Sequence, residues 1–79
     1  MQAFILINTD PAKAWEVADL TLKIEGVKMA HAVTGPFDVV AYAEFPKMDA
    51  LREILQKIHS VKGVIRTQTA IAMPPRLRV

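Results

Sequence analysis

The segment Val33-Thr34-Gly35-Pro36-Phe37-Asp38 carries the most suggestive chemistry in this 79-residue sequence. Gly35 tolerates a left-handed backbone and lets a ligand come close to the main chain. The N–H groups of Gly35 and Phe37 suit a carboxylate, Pro36 having none to give, and Asp38 suits an ammonium. Together these groups fit a zwitterion, namely a free α-amino acid. Turn chemistry accounts for the glycine and the proline equally well, so the residues alone leave a ligand site and an ordinary hairpin both open.

The rest of the chain offers little reactive chemistry. The two histidines, His31 and His59, have no partner spaced as a metal ligand, which argues against a metal site. His59 at a helix end reads as structural, and His31 lacks an orienting group in the sequence. Cysteine is absent, which removes disulfides, thiolate zinc sites, cysteine nucleophiles and a copper-carrying Cys-x-x-Cys together. The only glycines are Gly26, Gly35 and Gly63, so no phosphate loop or dinucleotide fingerprint exists and no cofactor is expected. Trp15 reads as core, Met29, Met48 and Met73 as gap fillers, and the Arg76/Arg78 tail as a frayed end.

These residues must be positioned by a small set of elements. Ala3–Ile7 is a short apolar run ending before Asp10-Pro11, hence a first strand. Asp10 reads as an N-cap with Pro11 at the first helical position. A helix then runs from Ala12 to Ile24, with Ala14, Val17, Ala18 and Thr21 in one row and Trp15, Ala18 and Leu22 in the next; Gly26 is its left-handed cap. Strands follow at Val27–Val33 and Phe37–Phe45, joined by the Thr34-Gly35-Pro36 turn as a hairpin. Lys47–His59 is a second helix, with Met48, Leu51, Leu55 and Ile58 on one stripe and Ile54 beside it. Val64–Met73 is the last strand, stopped by Pro74-Pro75. Ile24-Glu25-Gly26-Val27 recurs as Val61-Lys62-Gly63-Val64, so each half is one β-α-β unit. The fold class is α+β: a ferredoxin-like βαββαβ sandwich with strand order 4-1-3-2, both helices lying on one face of an antiparallel sheet.

Composition narrows the function. One domain over residues 1–79 is the expectation. Hydrophobic residues make up 52% and charged residues 23%, with 10 Lys plus Arg against 8 Asp plus Glu, which fits a folded chain; the charge balance alone does not suggest nucleic acid, which would need a concentrated basic face. The third strand has Val39, Val40 and Ala41 where an RNA-binding sheet needs stacking aromatics. Uncharged stretches reach only nine residues (1–9, 29–37 and 67–75), too short to span a bilayer. Residues 1–9 lack the marks of a signal peptide. A cytoplasmic protein is the default.

Both central strands are apolar on both sides: Phe4 and Leu6 back onto Ala3, Ile5 and Ile7, and Val40 and Tyr42 back onto Val39, Ala41 and Ala43. Two helices cover one side only, and the chain has no third layer. A second copy, pairing sheet against sheet, is the simplest cover.

Thr34-Gly35-Pro36-Phe37-Asp38-Val39-Val40, after Gly26-Val27 and before Gly63-Val64-Ile65-Arg66-Thr67-Gln68-Thr69, resembles the effector domain of the Lrp/AsnC family of transcriptional regulators, also called the RAM domain. The resemblance covers nearly the whole chain. It implies the same βαββαβ fold, homodimers formed through the sheets, and rings of dimers of octamer type that bind amino acids or related small metabolites between dimers. It implies effector contacts at Thr34, Gly35, Pro36, Phe37 and Asp38, and at Thr67 and Thr69, with no enzymatic activity. Family regulators carry a helix-turn-helix domain ahead of this one. Here the first strand begins at Ala3, so direct DNA binding is not expected, and the chain reads as a stand-alone sensor in transcription or metabolic regulation, or as a partner that co-assembles with full-length regulators. The rival reading is a small dimeric α+β barrel enzyme acting on a small organic substrate, with a deep pocket lined by His31 and Tyr42. A third is an ACT-type amino-acid sensor that pairs its sheets side by side.

Overall fold

The computed structural model describes residues 1–73. The elements are β1 (Gln2–Thr9), α1 (Ala14–Leu22), β2 (Val27–Ala32), β3 (Val39–Glu44), α2 (Met48–His59) and β4 (Val64–Ile71). They form one antiparallel sheet in the order β2-β3-β1-β4, which is the expected 4-1-3-2 order read from the other edge. Alternation in the central strands decides the faces. Ala3, Ile5 and Ile7 of β1 and Val39, Ala41 and Ala43 of β3 are fully buried and stand opposite one another in register. Val17, Ala18 and Thr21 of α1 and Leu51, Ile54 and Ile58 of α2 close the core over them. α1 lies over β2 and β3, and α2 lies toward β4.

The internal repeat is a structural one. Val27 N–H donates to Ile24 O at 3.0 Å, and Val64 N–H donates to Val61 O at 3.2 Å. Gly26 O then accepts from Glu44 N–H and Gly63 O from Asp10 N–H, both at 2.8 Å. Each half therefore hooks its second strand onto the chain leaving the first strand of the other half.

Several details differ from the sequence reading. Asp10 does not cap α1 and Pro11 is not its first residue: the cap position is Lys13, because Asp10 is held by Gly63 and Ala12 takes a left-handed φ of 66°. Gly26 is left-handed, φ 97°, but α1 has ended at Leu22, so the glycine shapes the entry to β2. Trp15 is not core; it is 77% exposed, with Leu22 exposed beside it. Met29, Met48 and Met73 are exposed rather than filling gaps. The hairpin connection spans 33–38, since β2 stops at Ala32 and β3 starts at Val39. The buried stripe of α2 is Leu51, Ile54 and Ile58; Leu55 packs half-buried against its edge, and Met48 turns onto an exposed flank. Pro74-Pro75 and the Arg76/Arg78 tail lie outside the described residues.

Candidate ligand site

The 33–38 connection is anchored at its base and open at its tip. At the base, Val33 N–H donates to Asp38 O at 2.9 Å and Asp38 N–H donates to Ile7 O at 2.9 Å. Asn8 and Thr9, at the end of β1, provide the support: Asn8 Nδ2 donates to Pro36 O at 2.9 Å, and Thr9 N–H donates to Asp38 Oδ2 at 2.8 Å. Asp38 thus already has a structural role, with Oδ2 closing β1 against the turn and Oδ1 left for other partners. At the tip, Thr34, Gly35 and Pro36 are exposed and Phe37 is half-buried. Gly35 has φ 108°, and no atom lies within 4 Å of where its Cβ would stand. Among the described residues neither Gly35 N–H nor Phe37 N–H has a hydrogen-bond partner. Two free main-chain donors and a half-buried carboxylate in one open turn can take an anionic and a cationic group side by side.

Thr67 and Thr69 lie elsewhere. They pair with Ile7 and Ile5 of β1, and cross-strand partners share a face, so both point to the helix-covered side of edge strand β4. Thr67 Oγ1 is 2.8 Å from His59 Nε2 at the end of α2. Strand β1 separates them from β3, two strand spacings or roughly 10 Å. Within one chain the Gly35 turn and the two threonines do not form a single pocket.

Sequence reasoning missed Asn8 and Thr9, whose role appears only once β1 ends beside the turn. It also missed a groove on the outer flank of α2, a cavity of about 320 Å³ lined by Met48, Leu51, Arg52, Leu55, Gln56 and His59. The exposed end of its apolar stripe was the available signal. His31 and Tyr42 stand on the uncovered sheet face, His31 opposite Val40 and Tyr42 opposite Phe4, and neither lines a described cavity. Tyr42 Oη donates to Glu44 Oε2 at 3.0 Å; partial burial and then this carboxylate hold the phenol above its usual value. Among the described residues no group of three or more His, Asp or Glu is placed to hold a metal ion, and no helix is long and apolar enough to cross a membrane.

Comparison with known proteins places the fold in a family. The family model described as "Lrp/AsnC ligand binding domain" matches residues 2–76. The HTH-type transcriptional regulator FL11 of Pyrococcus abyssi is 34% identical over 73 residues, 92% of this chain and 48% of that protein. The chain spans about half the length of the curated relatives it matches. Among solved structures, TTHA0845 from Thermus thermophilus superposes with a TM-score of 0.89 at 29% identity, covering 98% of both chains. The transcriptional regulator NMB0573 from Neisseria meningitidis, solved as an L-Met complex, superposes with a TM-score of 0.79 at 29% identity, covering 98% of this chain and 52% of that one.

Proposed function

We propose, from the premise that this chain belongs to the Lrp/AsnC ligand-binding domain family, that it is a non-catalytic, small-molecule-sensing and self-assembling regulatory domain whose effector is a free amino acid or a related metabolite. The observation that carries this reading is the turn tip: two unpartnered N–H groups beside a carboxylate, a pattern matched to a zwitterion. The effector carboxylate binds Gly35 and Phe37 N–H, and its ammonium binds the Oδ1 side of Asp38. Thr34 and Pro36 shape the turn.

The distance between this turn and Thr67 and Thr69 in one chain supports a site shared by two copies, the threonines coming from the neighbour. Sheets pair face to face into homodimers, and dimers join into a ring of octamer type with effectors at the contacts between dimers. Co-assembly with full-length family regulators is the route by which such a domain reaches transcription. The effector acts as a switch by binding one assembly state more tightly than another.

Isothermal titration of the assembled protein with the common amino acids tests the proposal. Binding by at least one is expected, with Asp38→Ala weakening it about tenfold to hundredfold, the loss of one charge-assisted contact. Heat-silent titrations with every amino acid, on correctly assembled protein, would remove this ligand class.

A further inference from the structure

We propose that copies of this chain also join edge to edge, with Trp15 of one copy seated in the α2 groove of the next. The two halves of this contact lie on opposite edges of the molecule. On α1, Lys13 and Val17 face Gly63, where an added Cβ would stand 3.3 Å from each. At 100° per residue, Trp15 and Leu22 fall on the opposite flank, overhanging edge strand β2, and both are exposed. On α2, Ile54 faces Gly26, while the groove flank overhangs edge strand β4, as the His59–Thr67 contact fixes.

Shape and charge match. Trp15 projects as a single large apolar knob. The groove of about 320 Å³ is of the size that buries small organic groups. Met48, Leu51 and Leu55 offer an apolar wall, including a thioether that favours aromatic contact. Arg52 sits at the rim, where a guanidinium stacks on an indole. Glu16 is paired with Lys13 at 3.1 Å, which leaves Asp19, one turn after Trp15, as the free carboxylate on this flank of α1, whereas Arg52 and no carboxylate line the groove, so opposite charges flank the knob and the hole.

A knob on one edge and a hole on the other cannot satisfy each other in a two-fold pair. The contact is heterologous, and repetition of it builds a ring or filament while the open sheet face stays free for its own pairing. It supplies one part of the lateral joint of the assembly proposed above and rests on that reading only for ring closure; it forms without effector.

Native mass measurement and tryptophan fluorescence test it on the effector-free chain. The wild type should assemble beyond a dimer, with blue-shifted emission from its single tryptophan. Trp15→Glu, Leu55→Arg and the milder surface change Met48→Glu should each fall to a dimer or smaller, with thermal melts showing that the fold persists. Mixing Trp15→Glu with Leu55→Arg should restore assembly that neither variant shows alone, since each keeps one intact half. A Trp15→Glu protein with wild-type mass, a mixture that gains nothing, or wild-type emission typical of a fully exposed indole would overturn the contact. Loss of amino-acid binding with this contact intact would count against the effector reading alone.

Discussion

Tyr42 is the residue whose surroundings can be read most directly, because it is the single tyrosine of the chain. Its phenol donates to Glu44, and burial together with that carboxylate raises its pKa. In the unfolded chain a phenol ionises near about 10. Between that value and the higher folded one, the unfolded chain has lost a proton that the fold keeps. The contribution is therefore fully present below about pH 10 and is lost as pH rises through the folded value. Ultraviolet titration should show a midpoint above that of the denatured protein, and Glu44→Gln should lower it. Asp38 poses a different question, since one carboxylate oxygen already receives Thr9 N–H at 2.8 Å. Asp38→Ala removes that acceptor and should cost about 1–3 kcal/mol of stability by urea unfolding. Asp38→Asn keeps an acceptor and should cost less. If both variants lose effector binding alike, the charge is what the effector needs. Thr21 has a fully buried hydroxyl with no partner among the described residues. Thr21→Val should leave stability unchanged or raise it by about 1 kcal/mol.

At the scale of elements, Gly26 and Gly35, two of the three left-handed glycines of the connections, should respond differently to the same change. A Cβ on Gly26 would stand 2.8 Å from Ile54 Cδ1 and 3.2 Å from Glu44 O, adding a clash at the β2–β3–α2 junction to the left-handed penalty. Gly26→Ala should lose about 2–4 kcal/mol. Gly35→Ala meets open space and should lose only about 1–2 kcal/mol, measured by the same unfolding curves. The contrast also marks what could be read from sequence. The alternation of β1 and β3, the Gly-Pro turn and the repeated Gly-Val pairs are local signals, and they suffice for the sheet and its order, while the hairpin connection is longer than the three-residue turn they suggest. The start of α1 was not legible, because Asp10 is claimed by Gly63, an interaction that exists only after the sheet closes. Met48, at the start of α2, departs from the expected stripe for a similar reason. The sequence of α2 offers Met48 to a core as readily as Ile54, and the sheet beneath buries Leu51, Ile54 and Ile58 with Leu55 at their edge. At the candidate site, Gly35 and Asp38 announce themselves by type, whereas Asn8 and Thr9 look like the ordinary polar end of a strand until the turn folds against them.

At the scale of the whole molecule, the sheet presents one finished face and one unfinished face. Phe4, Leu6, Val40 and Tyr42 occupy its centre, the Phe4 and Tyr42 rings 5.2 Å apart at 50°, with Met29 exposed on the neighbouring edge strand. Phe4 is 45% exposed, a large loss of apolar contact for a residue in a central strand. Covering about 500 Å² of such surface would contribute on the order of 10 kcal/mol before the costs of association. A core of this size supplies only roughly 3–5 kcal/mol net by itself, so even the part of that gain left after association is large beside it. Folding and sheet pairing should therefore be linked by mass action, and the melting temperature of the wild type should rise with protein concentration. Leu6→Arg places a charge at the middle of this face without touching the buried one. It should shift the native mass to a form lacking sheet pairing, lower the melting temperature, and weaken its dependence on concentration to what the edge contact alone supplies. A Leu6→Arg protein that melts like the wild type at every concentration would mean that the open face is not where copies meet. Because Trp15 lies on a different surface, Leu6→Arg should leave the edge contact available, so that a Leu6→Arg chain still shows blue-shifted tryptophan emission at high concentration.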